Sequence, residues 1–146
     1  MTCMESSQIM DNTTNGLLLI EGDLADATKV LEALTKPGQP HIEWVKSLSE
    51  GLQRLKQSGI AGILLNLYLP DSRGIDTFDQ ANAAAGGIPI LVLCGTNNEN
   101  VGKVAVEHGA HDFLLKDHLD SYSLTRAVAG MSCCREKRTK SHTIKK

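Results

Sequence analysis

Five short apolar runs, each followed by a stretch with helical spacing, constrain this chain more than any single motif. Leu17-Leu18-Leu19-Ile20, Ala61 to Leu67, Pro89 to Leu93 and Asp112-Phe113-Leu114-Leu115 are too brief for helices and close to continuously apolar. That pattern marks strands covered on both faces of a parallel sheet. His41-Ile42-Glu43-Trp44-Val45 alternates polar with apolar instead, which suits an edge strand with one wet face. After the first run, Asp23 or Asp26 can cap a helix in which Ala27, Val30, Leu31 and Leu34 share one face, with Pro37-Gly38 closing it. Ser47-Leu48-Ser49-Glu50 has the spacing of a capping box, and Leu48, Leu52 and Leu55 carry the second helix towards Gly59. The third helix is predicted from Ile75 to Ala85, ended by Gly86-Gly87. The fourth starts at Asn97 or Asn98, buries Val101, Val104 and Ala105, and stops at Gly109. Asp120 or Ser121 caps a fifth helix through Leu124, Ala127, Val128 and Met131.

Five strand-helix units predict an α/β domain: a doubly wound, five-stranded parallel (βα)5 sheet joined by right-handed crossovers. The half-wet second strand belongs at an edge, giving the order 2-1-3-4-5. In such sheets ligands sit beyond the carboxyl ends of the strands, near the switch in strand order. That rule selects Glu21-Gly22-Asp23, Asn66, Cys94-Gly95 and Lys116. Aromatic residues are 3% of the chain, so the core must come from Leu, Ile, Val and Ala.

The remaining bulk features exclude more than they assign. No apolar run approaches the roughly 20 residues of a membrane span, and the polar start lacks the layout of a signal peptide. A cytoplasmic location is expected. Cys3, Cys94, Cys133 and Cys134 have neither zinc-ligand nor disulfide-framework spacing and are expected as reduced thiols. Residues 135–146 carry six Lys/Arg and one Glu, a local +5 in a chain of net charge −2, leaving −7 elsewhere. The expected layout is a flexible N-terminus (1–15), one folded domain (16–134) and a solvated basic tail (135–146).

Ile63-Leu64-Leu65-Asn66-Leu67, continuing as Tyr68-Leu69-Pro70-Asp71-Ser72-Arg73-Gly74, resembles the third strand and following loop of a receiver domain, the CheY-like, flavodoxin-ordered phosphoacceptor module of two-component response regulators. The resemblance runs from residue 17 to about 130. It implies a phosphoacceptor aspartate at position 66, two adjacent acids after the first strand, a Thr or Ser ending the fourth, and an aromatic residue and a Lys on the fifth. Here Asn66 stands at the acceptor position. Glu21 keeps the first acid, Gly22 occupies the second, and Asp23 follows, expected to cap the first helix. Cys94 takes the hydroxyl residue's place, with a bulkier and weaker donor. Phe113 and Lys116 match, although Asp117 stands where many members have Pro.

An amide cannot attack phosphorus, and Glu21 alone remains of three expected carboxylates. Magnesium demands octahedral oxygen ligands and dehydrates reluctantly, so weak or absent binding and no cofactor are expected. Without that cation only Lys116 would offset the charge of a transferring phosphoryl group. The chain is accordingly read as a pseudo-receiver and not an enzyme, acting by phosphorylation-independent protein contact within two-component-type signalling. By the resemblance, the output face joins the fourth helix, fifth strand and fifth helix, with Lys103, Glu107, His111, Tyr122 and Arg126 as its candidate contacts. Pairing of two copies is left open. In a second reading, Asn66 replaces the aspartate of a working phosphoacceptor, which leaves Gly22 and Cys94 unexplained. A third gives the basic tail a salt-sensitive nucleic-acid contact; without stacking aromatics, nucleic acid is not the expected partner. Lys116 can pair with Glu21 across the pocket mouth. His108, His111 and His118 lack metal-ligand spacing.

Overall fold

The computed structural model describes residues 16–34, 41–57, 59–118 and 120–131. The N-terminal segment, Pro37-Gly38, the basic tail, Cys3, Cys133 and Cys134 lie outside these residues. Five parallel strands form the sheet: β1 (Gly16–Ile20), β2 (Ile42–Val45), β3 (Ile60–Asn66), β4 (Ile90–Cys94) and β5 (Asp112–Leu115). Their order is β2-β1-β3-β4-β5, with β2 at one edge, as its alternation predicts. Every residue of β1 and β4 is buried, whereas all four of β2 are half-buried.

Helices cover both faces. Leu17, Leu19, Leu64, Leu91 and Leu93 pack against Ala27, Val30 and Leu34 of α1 (Leu24–Leu34) and Leu124, Val128 and Met131 of α5 (121–131). Leu18, Ile20, Ile63, Leu65 and Val92 face the other way, onto α2 (Leu48–Leu55), α3 (Ile75–Ala85) and α4 (Glu99–Glu107). Each fully buried aliphatic side chain contributes about 1.5–3 kcal/mol. Among the described residues the buried core is aliphatic apart from Cys94, Met131 and Phe78, the last a fully buried side chain of α3.

Local signals set the ends of these elements. Asp23 accepts the Ala25 N–H at 2.8 Å and caps α1, so of the two candidate caps it is Asp23 and not Asp26. Ser47 Oγ accepts the Glu50 N–H at 3.2 Å, while Glu50 reaches back one residue beyond a capping box, to the Lys46 N–H at 2.8 Å. Gly86 ends α3 in the left-handed conformation (φ 60°, ψ 40°), where a Cβ would be strained. Asp120 caps α5 through the Ser123 N–H at 2.7 Å. α4 follows a 3-10 turn, Thr96–Asn98, and begins at Glu99 with Asn98, the second candidate start, at its N-cap position.

Two readings change. Val104 is 36% exposed, because α4 turns Val101, Gly102 and Ala105 inward and carries Val104 past the edge of that stripe. The segment after β3 is not a plain loop: Tyr68–Leu69 pairs antiparallel with Ser72–Arg73, a two-residue hairpin turning on Pro70-Asp71.

Candidate functional site

Ile20 is in register with Leu65, so the next residues along, Glu21 and Asn66, emerge side by side at the carboxyl end of the sheet. Glu21 is fully buried and Asn66 is 4% exposed. The Asn66 amide donates to Glu21 Oε2 at 2.7 Å and to the Tyr68 carbonyl at 3.1 Å, while its oxygen accepts the Tyr68 N–H at 3.0 Å. That last contact fixes the amide orientation, because a backbone N–H can only donate. Both N–H bonds of Asn66 are therefore spent inside the protein. A carboxylate at this position could make neither donation.

Lys116 reaches back from the turn after β5. Its ammonium lies 2.7 Å from Asp26 Oδ2 and 3.0 Å from Glu21 Oε1, and it donates to Glu21 Oε2 at 3.2 Å. Burial works to lower the Lys116 pKa, but hydrogen bonds to Asp26 and Glu21 outweigh it and hold the group above the ordinary lysine value. Glu21 Oε2 also accepts the Asp23 N–H at 3.0 Å. Glu21 Oε1 is close to the ammonium but outside hydrogen-bond alignment, and it is the buried side-chain polar atom left without a hydrogen bond among the described residues.

Gly22 offers no acid. A Cβ built there would stand 2.9 Å from Pro70 Cδ and 3.3 Å from the Lys46 carbonyl, so a side chain requires the hairpin to back away. Cys94 is fully buried; burial, joined by the nearby Glu99 charge, pushes its thiol pKa up. Phe113 is half-buried, and its ring shares with Cys94 Sγ the space in which a Gly102 side chain would stand.

Gly22, Asn66 and Lys116 line an open cleft of about 730 Å³ together with Asn98, Arg73, Leu24 and Pro70. The donor set does not suit a magnesium ion. Glu21 is already engaged by an amide, a backbone N–H and an ammonium, Asn66 turns an N–H towards it, and Gly22 has no side-chain oxygen to give. Among the described residues no three His, Cys, Asp or Glu side chains converge as metal ligands.

Three contributors escape the sequence reading. Asp26 is named there as a cap, yet it is the shortest partner of Lys116; its place in the first turn, three residues after the cap, is the available signal. Asp71 accepts the N–H groups of Leu48 and Ser49, both at 2.9 Å, and ties the hairpin to the start of α2. Desolvation nudges its pKa up, but these backbone donors dominate and hold it below the usual carboxylate range. Gly102, an unexplained glycine inside a helix, makes room for Phe113 and Cys94.

On the α4-β5-α5 side, Lys103, Glu107, Tyr122 and Arg126 are exposed, Tyr122 at 70%, with Arg126 donating to Tyr122 Oη at 3.3 Å. His111 is half-buried and so departs from the exposed set. His108 binds Asp79 at 2.9 Å instead of joining His111.

The sequence matches the response regulator receiver domain family over residues 17–129. The swarming motility regulation protein RssB of Serratia marcescens is 31% identical over 100 residues, 68% of this chain and 45% of that protein. The transcriptional regulatory protein AfsQ1 of Streptomyces coelicolor is 32% identical over 102 residues, 68% of this chain and 44% of that protein. The chain thus spans under half the length of either relative. A CheY-like receiver domain protein from Methanospirillum hungatei JF-1 superposes with a TM-score of 0.71 at 20% identity, covering 85% of this chain and 98% of that one, a likeness of fold.

Proposed function

The chain belongs to the response regulator receiver domain family, and from that premise we propose that it is a receiver without phosphoacceptor chemistry, signalling by phosphorylation-independent protein contact. The observation that carries this reading is the Asn66 amide donating to Glu21 Oε2 at 2.7 Å. In a receiver that takes phosphate, the group at this position must be an anionic nucleophile beside a bound cation. Here it is a neutral donor, and the carboxylate it faces is neutralised by Lys116. Gly22 and Cys94 remove two further groups that the reaction uses.

A phosphoryl group normally shifts a two-state equilibrium by binding one state better than the other. With no phosphoryl group, the balance is set by the sequence or by a partner. The contact surface is the α4-β5-α5 face, where Tyr122 and Arg126 offer the aromatic and guanidinium groups that anchor protein interfaces. The protein works in the cytoplasm as a non-enzymatic module and needs no cofactor. No helix among the described residues is long and apolar enough to cross a membrane.

The test is a titration of the protein with magnesium, with and without acetyl phosphate, followed by backbone amide spectra and by fluorescence of Trp44, whose Nε1 donates to the Glu21 carbonyl at 2.7 Å. Unchanged spectra are expected. Saturable shifts around Glu21, Asn66 and Phe113 would overturn the reading.

A further inference from the structure

A groove separates α2 from α3 on the face of the sheet away from α1 and α5. Leu52, Leu55, Ala83 and Ala84 line about 540 Å³ of it, with Lys56 and Gln80 beside them. Leu52, Lys56 and Gln80 also line an adjoining space of about 300 Å³ that runs up to Asp71 in the hairpin. The Leu55 end of the groove lies at the amino ends of the strands, opposite the cleft, because α2 ends at Leu55 shortly before β3 begins at Ile60. Ala83 and Ala84 are exposed and Leu52 and Leu55 half-buried, so the alanine methyls leave the α3 backbone open to close approach. Lys56 is exposed there and has no ion-pair partner among the described residues.

The chain itself carries an occupant. Gly16 pairs with Ile60, so residues 1–15 enter β1 beside the strand end to which α2 leads. The stretch from Met10 to Gly16 reaches about 20 Å when extended, close to two helix diameters. Within residues 1–15, Ile9 and Met10 adjoin Asp11, and the charged side chains are two acids, Glu5 and Asp11, with no Lys or Arg. That balance complements Lys56. The tail 135–146 has the wrong sign and follows α5, which packs on the opposite face. A flexible methionine thioether also suits a shallow, irregular surface. We propose that the α2-α3 groove is the docking site of residues 4–11, with Ile9 and Met10 resting on Leu52, Leu55, Ala83 and Ala84 and Asp11 facing Lys56. Docking there takes apolar side chains out of water and leaves the α4-β5-α5 face uncovered. Nothing in it depends on the loss of phosphoacceptor chemistry.

The experiment is amide hydrogen exchange of the full chain, read by mass on peptides covering residues 1–15, for the parent and for Ala84→Arg, Ile9→Ser/Met10→Ser, Lys56→Glu and Lys56→Glu/Asp11→Lys. Thermal unfolding through Trp44 checks that each variant keeps its fold; Ala84, Lys56 and the N-terminal positions lie outside the buried core, so it should. Residues 4–11 of the parent should exchange about tenfold more slowly than a free peptide of the same sequence. Ala84→Arg, which fills the groove, and Ile9→Ser/Met10→Ser, which removes the apolar contact, should both return them to the free rate. Lys56→Glu should weaken the protection, and adding Asp11→Lys should restore it. A parent whose residues 4–11 exchange at the free rate overturns the proposal, as does protection that survives Ale84→Arg in a folded chain or a charge swap that restores nothing. Protection that grows with protein concentration would give the groove to a second copy and equally overturn it.

Discussion

Asn66 Nδ2 and Glu21 Oε2 face each other across 2.7 Å between the ends of β3 and β1, a hydrogen bond that exists because position 66 carries an amide and not an acid. An acid at that position would turn the attraction into repulsion.

Asn66→Asp should therefore destabilise the protein at neutral pH by about 2 kcal/mol, from lost donors to two buried acceptors and from like charges in contact. The loss should shrink as the pH falls and the two carboxylates share a proton. Urea unfolding at neutral and acidic pH, read through Trp44, measures it; equal stability of variant and parent at neutral pH would contradict the account. The single variant is expected to remain unphosphorylated. Asn66→Asp/Gly22→Asp should gain phosphate, with Pro70 displaced to admit the new side chain.

Asp71 supplies a cap to α2 from outside the helix. Asp71→Ala should cost about 1 kcal/mol, the usual worth of such a cap. The Asp71 pKa is lowered by the Ser49 and Leu48 N–H groups, so its contribution is present above the ordinary carboxylate range and lost as pH falls through the folded-state value. The alanine variant should accordingly show a shallower acid limb in a stability profile.

Lys116 has the opposite sign. Its pKa is raised, so its stabilising effect is complete below the ordinary lysine value and disappears as pH rises through the folded-state one. Stability measured on the alkaline side should fall in the parent and stay flatter in Lys116→Met.

Gly102 should not tolerate a methyl group. A Cβ there meets Phe113 Cδ2 at 2.8 Å and Cys94 Sγ at 2.9 Å, so Gly102→Ala should cost about 1–3 kcal/mol through overpacking. In a Cys94→Ala background the cost should drop, a non-additivity that a double-mutant cycle reads directly.

Much of this fold is legible in the sequence. The apolar runs gave the strands because burial on both faces leaves no polar position to break them, and the alternation at Ile42-Glu43-Trp44-Val45 marked the edge for the converse reason. Asn66, Glu21 and Lys116 were found because strand ends carry the ligands of such sheets, and their convergence follows from parallel register. Val104 was misplaced because a helix of nine residues has too little pattern to fix the limits of its buried stripe. The ion pair of Asp26 and the remote cap of Asp71 are not legible, since a contact spanning 90 positions and a helix capped from a distant hairpin leave no local spacing to read. The hairpin from Tyr68 to Arg73 leaves no sequence signal because strands of two residues have no period.

The most direct measurement is the intact mass of the unaltered protein after incubation with acetyl phosphate and magnesium. The account expects no phosphoryl adduct, because the buried group at position 66 is an amide already bonded to Glu21 and Tyr68. A stoichiometric phosphoryl adduct on the folded protein would contradict it.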